Sequence, residues 1–189
     1  MFSNKNIECF DDKKLFIKGG TTVISSLSGE GKTTYIIKKS KEWKSNGYSV
    51  FHFNFDNAPT YNADMLEPPT TDKDFKDFYY LLLDSTDEKT IVIIDSLKAM
   101  TSFVGSDIEN NVDMYPIMMR FRTISKKTGC SFILVHHVYK AKNVKTMPLS
   151  FYGSRAIEEQ CDSGFIYKED KVTIVKSRAG LRRDEEVLL

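Results

Sequence analysis

The sequence predicts an α/β fold: a mainly parallel, twisted sheet flanked by helices, with a C-terminal β-hairpin. Three observations predict it. Short apolar runs alternate along the chain with longer stretches of helical periodicity, as strand–helix–strand units require. Two of these runs, "TIVIID" and "CSFILVHH", are apolar without alternation, as in strands covered on both faces. A glycine-containing loop, "SSLSGEGKTT", stands where the first strand gives way to the first helix.

The elements follow in order. "TTVISSL" is β-rich and ends at the glycine loop. Residues 32–47 carry Tyr35, Ile36, Ile37 and Trp43 as apolar positions, with Gly47 as the stop signal. "YSVFHFNF" is β-branched and aromatic, a second strand. Residues 56–71 hold three of the five prolines and read as loop. In 72–85 the spacing puts Phe75, Phe78, Tyr79 and Leu82 on one helical face. "TIVIID" is a buried strand ending in a carboxylate, and residues 96–111 read as mostly loop. A helix over 112–129 has Pro116 in its first turn. "CSFILVHH" is the fourth buried strand, followed by a basic loop over 138–154. "GFIYKED" and "KVTIVKS" form a hairpin turning at Glu169 and Asp170.

Composition bounds the function. The 189 residues suit one domain over 1–189, and 41% hydrophobic with 28% charged residues supports a real core. A net charge of +1 gives no global basic field, so nucleic-acid contact would need a local patch. Cys9, Cys130 and Cys161 are an odd, scattered set without a C-x-x-C pair. That argues against a disulfide framework and a zinc site, and fits a reducing cytosol. The first residues carry charge where a leader would be apolar, and no run approaches a membrane span. The expectation is a cytoplasmic protein without membrane contact.

The loop "SSLSGEGKTT" nearly matches G-x-x-x-x-G-K-[ST], with Ser26 in place of the first glycine. Ser26 precedes the tight part of the turn, where a small residue suffices. Amide groups of such a turn point inward, and the helix N-terminus adds positive potential. Ser28, Gly29, Glu30, Gly31, Lys32, Thr33 and Thr34 therefore form a candidate phosphate cradle for a nucleotide. Lys32 would neutralise the terminal phosphates, and Thr33 would offer its hydroxyl to Mg2+.

Asp95, at the end of "TIVIID", is the second candidate magnesium ligand. A carboxylate there also serves as a helix cap. Asp56 ends the second strand and can polarise an attacking water, or open an Asx turn. His136 and His137 are adjacent on a strand, so they face opposite ways. One can bond to phosphate while the other packs; the residues leave open which. The basic loop interleaves Lys140, Lys142, Lys145 and Arg155 with Tyr139, Phe151 and Tyr152, a pattern for backbone contact and base stacking. A solvated loop has the same composition. Lys176 and Arg178, two apart on a strand, project from one face. Arginine can stabilise charge on a transferring phosphoryl group, often from a neighbouring subunit.

Taken together, "KGGTTVISSLSGEGKTT", "IVIID", "VHHVYK" and "KSRAG" occur in the order found in RecA-like ATPases. The chain resembles them over nearly its whole length, and within them the ring-forming helicase branch with its compact RepA-like members. The resemblance implies a single RecA-like P-loop ATPase domain using ATP and Mg2+. It implies Asp56 as catalytic carboxylate, although relatives usually carry Glu, one methylene longer. It implies that His136 or His137 senses the terminal phosphate. It implies that Lys176 and Arg178 reach into the next subunit's site of a homo-oligomer, a hexamer in that branch. Loops around residues 104–111 and 140–150 match positions lining a DNA channel. The implied function is an ATP-driven motor on single-stranded DNA, a small helicase in DNA replication. A RecA-like recombination or annealing ATPase that coats single strands is the alternative, as is a nucleotide-binding regulator without motor activity.

Overall fold

Each apolar run becomes a strand because its residues can be buried on both faces only inside a sheet covered by helices. The computed structural model describes residues 7–56, 65–69, 72–138 and 150–189, with backbone alone for 72–75. In chain order it has β1 (Thr21–Ser26), α1 (Lys32–Ser45), β2 (Ser49–Asn54), β3 (Met65–Leu66) and α2 (Asp72–Ser85). Then come β4 (Thr90–Asp95), α3 (Leu97–Phe103), α4 (Asn111–Thr128) and β5 (Ser131–His137). The chain ends with α5 (Arg155–Gln160), β6 (Ser163–Lys168), β7 (Lys171–Ser177) and β8 (Glu186–Leu188).

The strands form one sheet in the order β3-β2-β4-β5-β1-β6-β7-β8. Pairing is parallel from β3 to β6 and antiparallel for β6–β7–β8. Alternation sorts the core into two layers. Val92 and Ile94 of β4 and Phe132 and Leu134 of β5 meet Phe78, Leu82, Met100, Ile117 and Phe121 from α2, α3 and α4. Ile91, Ile93, Ile133 and Val135 face the other way, toward Ile36 and Trp43 of α1 and Leu15 and Phe16 of the N-terminal segment. Trp43, fully buried, lies edge-on to Phe16 at 5.0 Å and Phe10 at 5.2 Å. Full burial of one such large side chain contributes about 1.5–3 kcal/mol.

The hairpin turns where expected, with Glu169 and Asp170 both left-handed (φ 49° and 61°), as a two-residue turn between twisted strands requires. Four local expectations are corrected. Residues 96–111 are not mostly loop: α3 opens on Ser96, whose hydroxyl accepts the Ala99 amide at 3.3 Å, and buries Leu97, Met100 and Thr101. Seven residues are too few for a periodic signal. Residues 56–71 contain β3, which pairs Met65 and Leu66 with His52 and Phe53 at the sheet edge. Pro116 lies in the second turn, because α4 begins at Asn111 with Asn110 as its cap. Finally, α5 and β8 carry no strong sequence signal; α5 leans on Ser154, whose hydroxyl accepts the Ala156 amide at 3.1 Å.

Parallel register positions the site. Asn54 pairs with Asp95, Asp95 with Val135, and Ser26 with His137. The carboxyl ends of β2, β4, β5 and β1 thus finish side by side.

Candidate active site

The glycine loop leaves β1 and turns through Gly29 and Gly31, at φ 87° and 81°. A Cβ at either would meet open space, so glycine is needed there for backbone conformation and not for room inside the protein. Gly31 caps α1 without a side chain to satisfy its amides, and the first intrahelical bond is Tyr35 N–H to Gly31 C=O at 2.8 Å. The amides of Lys32, Thr33 and Thr34 have no backbone partner among the described residues. They point out of a 14-residue helix, the arrangement that receives an anion.

Lys32 is almost buried, 8% exposed. Burial lowers its pKa, while Asp95, Asp56 and Glu30 oppose the fall. A lysine so placed has lost water and lies within reach of several carboxylates. Thr33, one residue on, donates its hydroxyl to Asp95 Oδ2 at 3.1 Å. Asp95 is 3% exposed. Asp56 is exposed at the end of the β2 segment, and its Oδ1 accepts the Ser96 hydroxyl at 2.8 Å. Ser96 therefore both caps α3 and holds Asp56 beside Asp95.

The two histidines divide as alternation demands. His136 is fully buried; its Nε2–H donates to the Tyr152 carbonyl at 2.6 Å, and its Nδ1 has no partner. Burial pushes its pKa down to about 4, so it is neutral. His137 instead lines a cavity of about 350 Å³ with Ser26, Leu27, Ser28, Lys98, Val138 and Tyr152. Its pKa is lowered by burial and by Lys32, and raised by Asp56. Of the pair left open by the sequence, His137 faces the glycine loop; the placement of His136 among catalytic residues does not match its orientation.

Lys176 and Arg178 lie at the amino end of the parallel strands, away from the loop. Ser177 pairs with Ser163, the first residue of β6. Lys176 Nζ donates to the carbonyls of Glu158 at 2.6 Å and Glu159 at 2.8 Å, capping the end of α5. Arg178 pairs with Asp162 at 2.7 Å and remains 40% exposed. Asp162 also accepts the Thr21 amide at 2.9 Å. Within one chain neither cation reaches the glycine loop.

Residues Tyr139, Lys140, Lys142 and Lys145 of the basic loop, and the side chain of Phe75, lie outside the described residues. Phe151 is 7% exposed and sits in the core, so it is withdrawn from base stacking. Tyr152 is half-buried and donates its hydroxyl to Glu109. Arg155 is exposed at the start of α5, 3.9 Å from Glu159.

A family model described as an AAA domain matches residues 62–143. A comparison with curated proteins finds no match. Among solved structures, the ATPase domain of a helicase superposes with a TM-score of 0.66 at 12% identity, covering 95% of this chain and 87% of that one. The fold is that of a RecA-like P-loop ATPase. Matching solved chains number 435, so the RecA-like fold is widespread and selects no activity by itself.

Two residues of this RecA-like site escaped sequence reasoning. His52, buried on β2, brings its Nε2 to 3.5 Å from Asp95 Oδ2, near enough for electrostatic contact but without a hydrogen bond. Its signal was a lone polar residue inside the run "VFHFNF". Lys98 of α3 enters the cavity beside His137, and its place three residues after Asp95 was hidden by reading α3 as loop. No helix among the described residues is long and apolar enough to cross a membrane.

Proposed function

We propose that this chain is a Mg2+-dependent ATPase that works as a ring-forming motor on single-stranded DNA, a small helicase acting in replication. The observation that carries the reading is the meeting of Thr33 Oγ1 and Asp95 Oδ2 at 3.1 Å, 62 residues apart in the chain, directly behind left-handed glycines. A hydroxyl and a carboxylate at a phosphate loop suit Mg2+, which fills its remaining positions with phosphate and water. Such a site needs no cluster of acidic or imidazole ligands, and none of three or more exists among the described residues. When bound, the cation would neutralise charge on the phosphate oxygens.

The chain's own groups supply the rest of the mechanism. The free amides of residues 32–34 cradle the phosphates, and Lys32 adds a cation with little water left to displace. Asp56, oriented by Ser96, positions the attacking water and accepts its proton. His137 reads the terminal phosphate from the end of β5. Arg178, remote from its own loop, serves a neighbouring subunit's site.

Support for DNA comes from "YKAKNVK" after β5 and from the way the chain around it is tied down. Val138 bridges Phe151, and the Ser154 amide donates to Ile108 in the α3–α4 connection at 2.8 Å. The chain entering and leaving the basic segment thus adjoins both His137 and the α3–α4 connection. The test is ATP turnover with and without single-stranded DNA, with Lys32→Ala as blank. Strong stimulation lost in the variant is the expected result. Turnover indifferent to DNA removes the motor. Filaments on single strands without unwinding of a forked duplex replace it with the annealing reading.

A further inference from the structure

We propose that Lys98 is a second phosphate-contacting cation of the nucleotide site, directed at the terminal phosphate from the side opposite Lys32. The proposal rests on the nucleotide reading above and adds a residue to it. Lys98 belongs to α3, which starts directly after Asp95 and Ser96, so its backbone is tied to the metal and water-positioning residues. Its side chain lines the cavity formed by Ser26, Leu27 and Ser28 of the glycine loop and by His137. It is exposed, and no carboxylate lies within 4 Å of its Nζ among the described residues.

What holds it there is a ring. The Lys98 ammonium stands 5.3 Å from the centroid of Tyr152, within cation–π range. Tyr152 is fixed on three sides: its amide donates to the His137 carbonyl at 3.1 Å, its carbonyl accepts from His136 at 2.6 Å, and its hydroxyl donates to Glu109. A long, flexible lysine side chain is thus restrained beside the cleft without being neutralised. An aromatic face holds a cation more weakly than a phosphate oxygen does, so an arriving anion can take the ammonium over. The Lys98 charge is felt by His137 in the same direction as that of Lys32. The two lysines therefore flank the imidazole, and the local field favours an added negative group.

The experiment compares Mg2+ complexes of ADP and of a non-hydrolysable β,γ-imido ATP analogue on wild type, Lys98→Met, Lys98→Arg and Lys32→Ala. Lys98→Met is expected to lose about tenfold or more in affinity for the analogue, as removal of a charged hydrogen-bond donor implies, with ADP affinity unchanged. Lys98→Arg is expected to restore most of the loss. Equal effects on both nucleotides, or none on either, overturn the proposal. Loss confined to binding of single-stranded DNA without nucleotide also overturns it, assigning Lys98 to the nucleic-acid backbone. Lys32→Ala separates the two levels. If it binds the analogue as wild type does, the nucleotide reading itself fails and the Lys98 proposal falls with it. If it does not bind while Lys98→Met is indistinguishable from wild type, only the Lys98 proposal fails.

Discussion

Asp95 Oδ2 has two neighbours, the Thr33 hydroxyl at 3.1 Å and His52 Nε2 at 3.5 Å, and all its freedom is removed by burial. A carboxylate held by supporting groups presents its lone pairs in one direction, which sharpens metal binding. Replacing His52 with Phe keeps the volume and removes the polar neighbour. The expected outcome is about tenfold more Mg2+ needed for half-maximal ATP turnover, with the fold unchanged, read from a metal titration and a thermal melt. His136 offers a second test. Its pKa falls from 6.5 in the unfolded chain to about 4 in the fold, so the unfolded state binds more protons between these values. Stability is therefore complete above about pH 6.5 and declines as pH falls toward about 4, by roughly 3 kcal/mol from this one group. Urea melts of wild type and His136→Gln across that window should show the slope shrinking in the variant. The contribution is lost because a buried imidazole must charge with only the Tyr152 carbonyl at one nitrogen.

At the scale of elements, helix ends decide local stability. Gly47 and Gly129 follow α1 and α4 at nearly equal left-handed φ, 84° and 82°. A Cβ on Gly47 meets open space, whereas on Gly129 it meets Glu88 Cβ at 2.9 Å. Gly47→Ala is expected to cost about 1 kcal/mol through conformation alone. Gly129→Ala adds a clash and costs more, visible as a larger drop in urea midpoint at constant slope. Trp43 is the only tryptophan and is packed between α1 and the N-terminal segment, so its fluorescence reports such melts from one place. The same scale explains what was legible. The apolar runs that became β1, β2, β4 and β5 were read directly, because double burial leaves an uninterrupted pattern. The short α3, α5, β3 and β8 were not. Each owes its existence to a partner already in place: Ser96 and the core for α3, Ser154 for α5, β2 for β3, β7 for β8.

Across the whole molecule the site is divided between two ends of one sheet. The glycine loop, Asp56, Asp95 and His137 gather at the carboxyl ends of the parallel strands, while Arg178 sits at the amino end, paired with Asp162. If Arg178 acts on phosphate, it acts on another subunit's. Arg178→Ala is therefore expected to retain nucleotide binding and lose at least about a hundredfold in turnover. Lys32→Ala loses binding but keeps its arginine. Mixing the two inactive variants should recover part of the activity in a concentration-dependent way, because a mixed assembly places an intact loop against an intact arginine. Mixtures as inactive as their components would remove the shared site.

The sequence by itself determined the strand–helix alternation, the phosphate loop and the carboxylate that closes it, because these depend on local pattern: continuous apolar runs, glycines at a strand end, a charge at the last strand position. Only the tertiary structure decided which histidine faces the loop, that Phe151 belongs to the core, that Lys176 caps a helix, and that His52 and Lys98 stand beside the site. Those outcomes depend on register between strands distant in sequence. A one-residue difference in register turns a side chain from the cleft to the core, and nothing in the neighbouring residues records it.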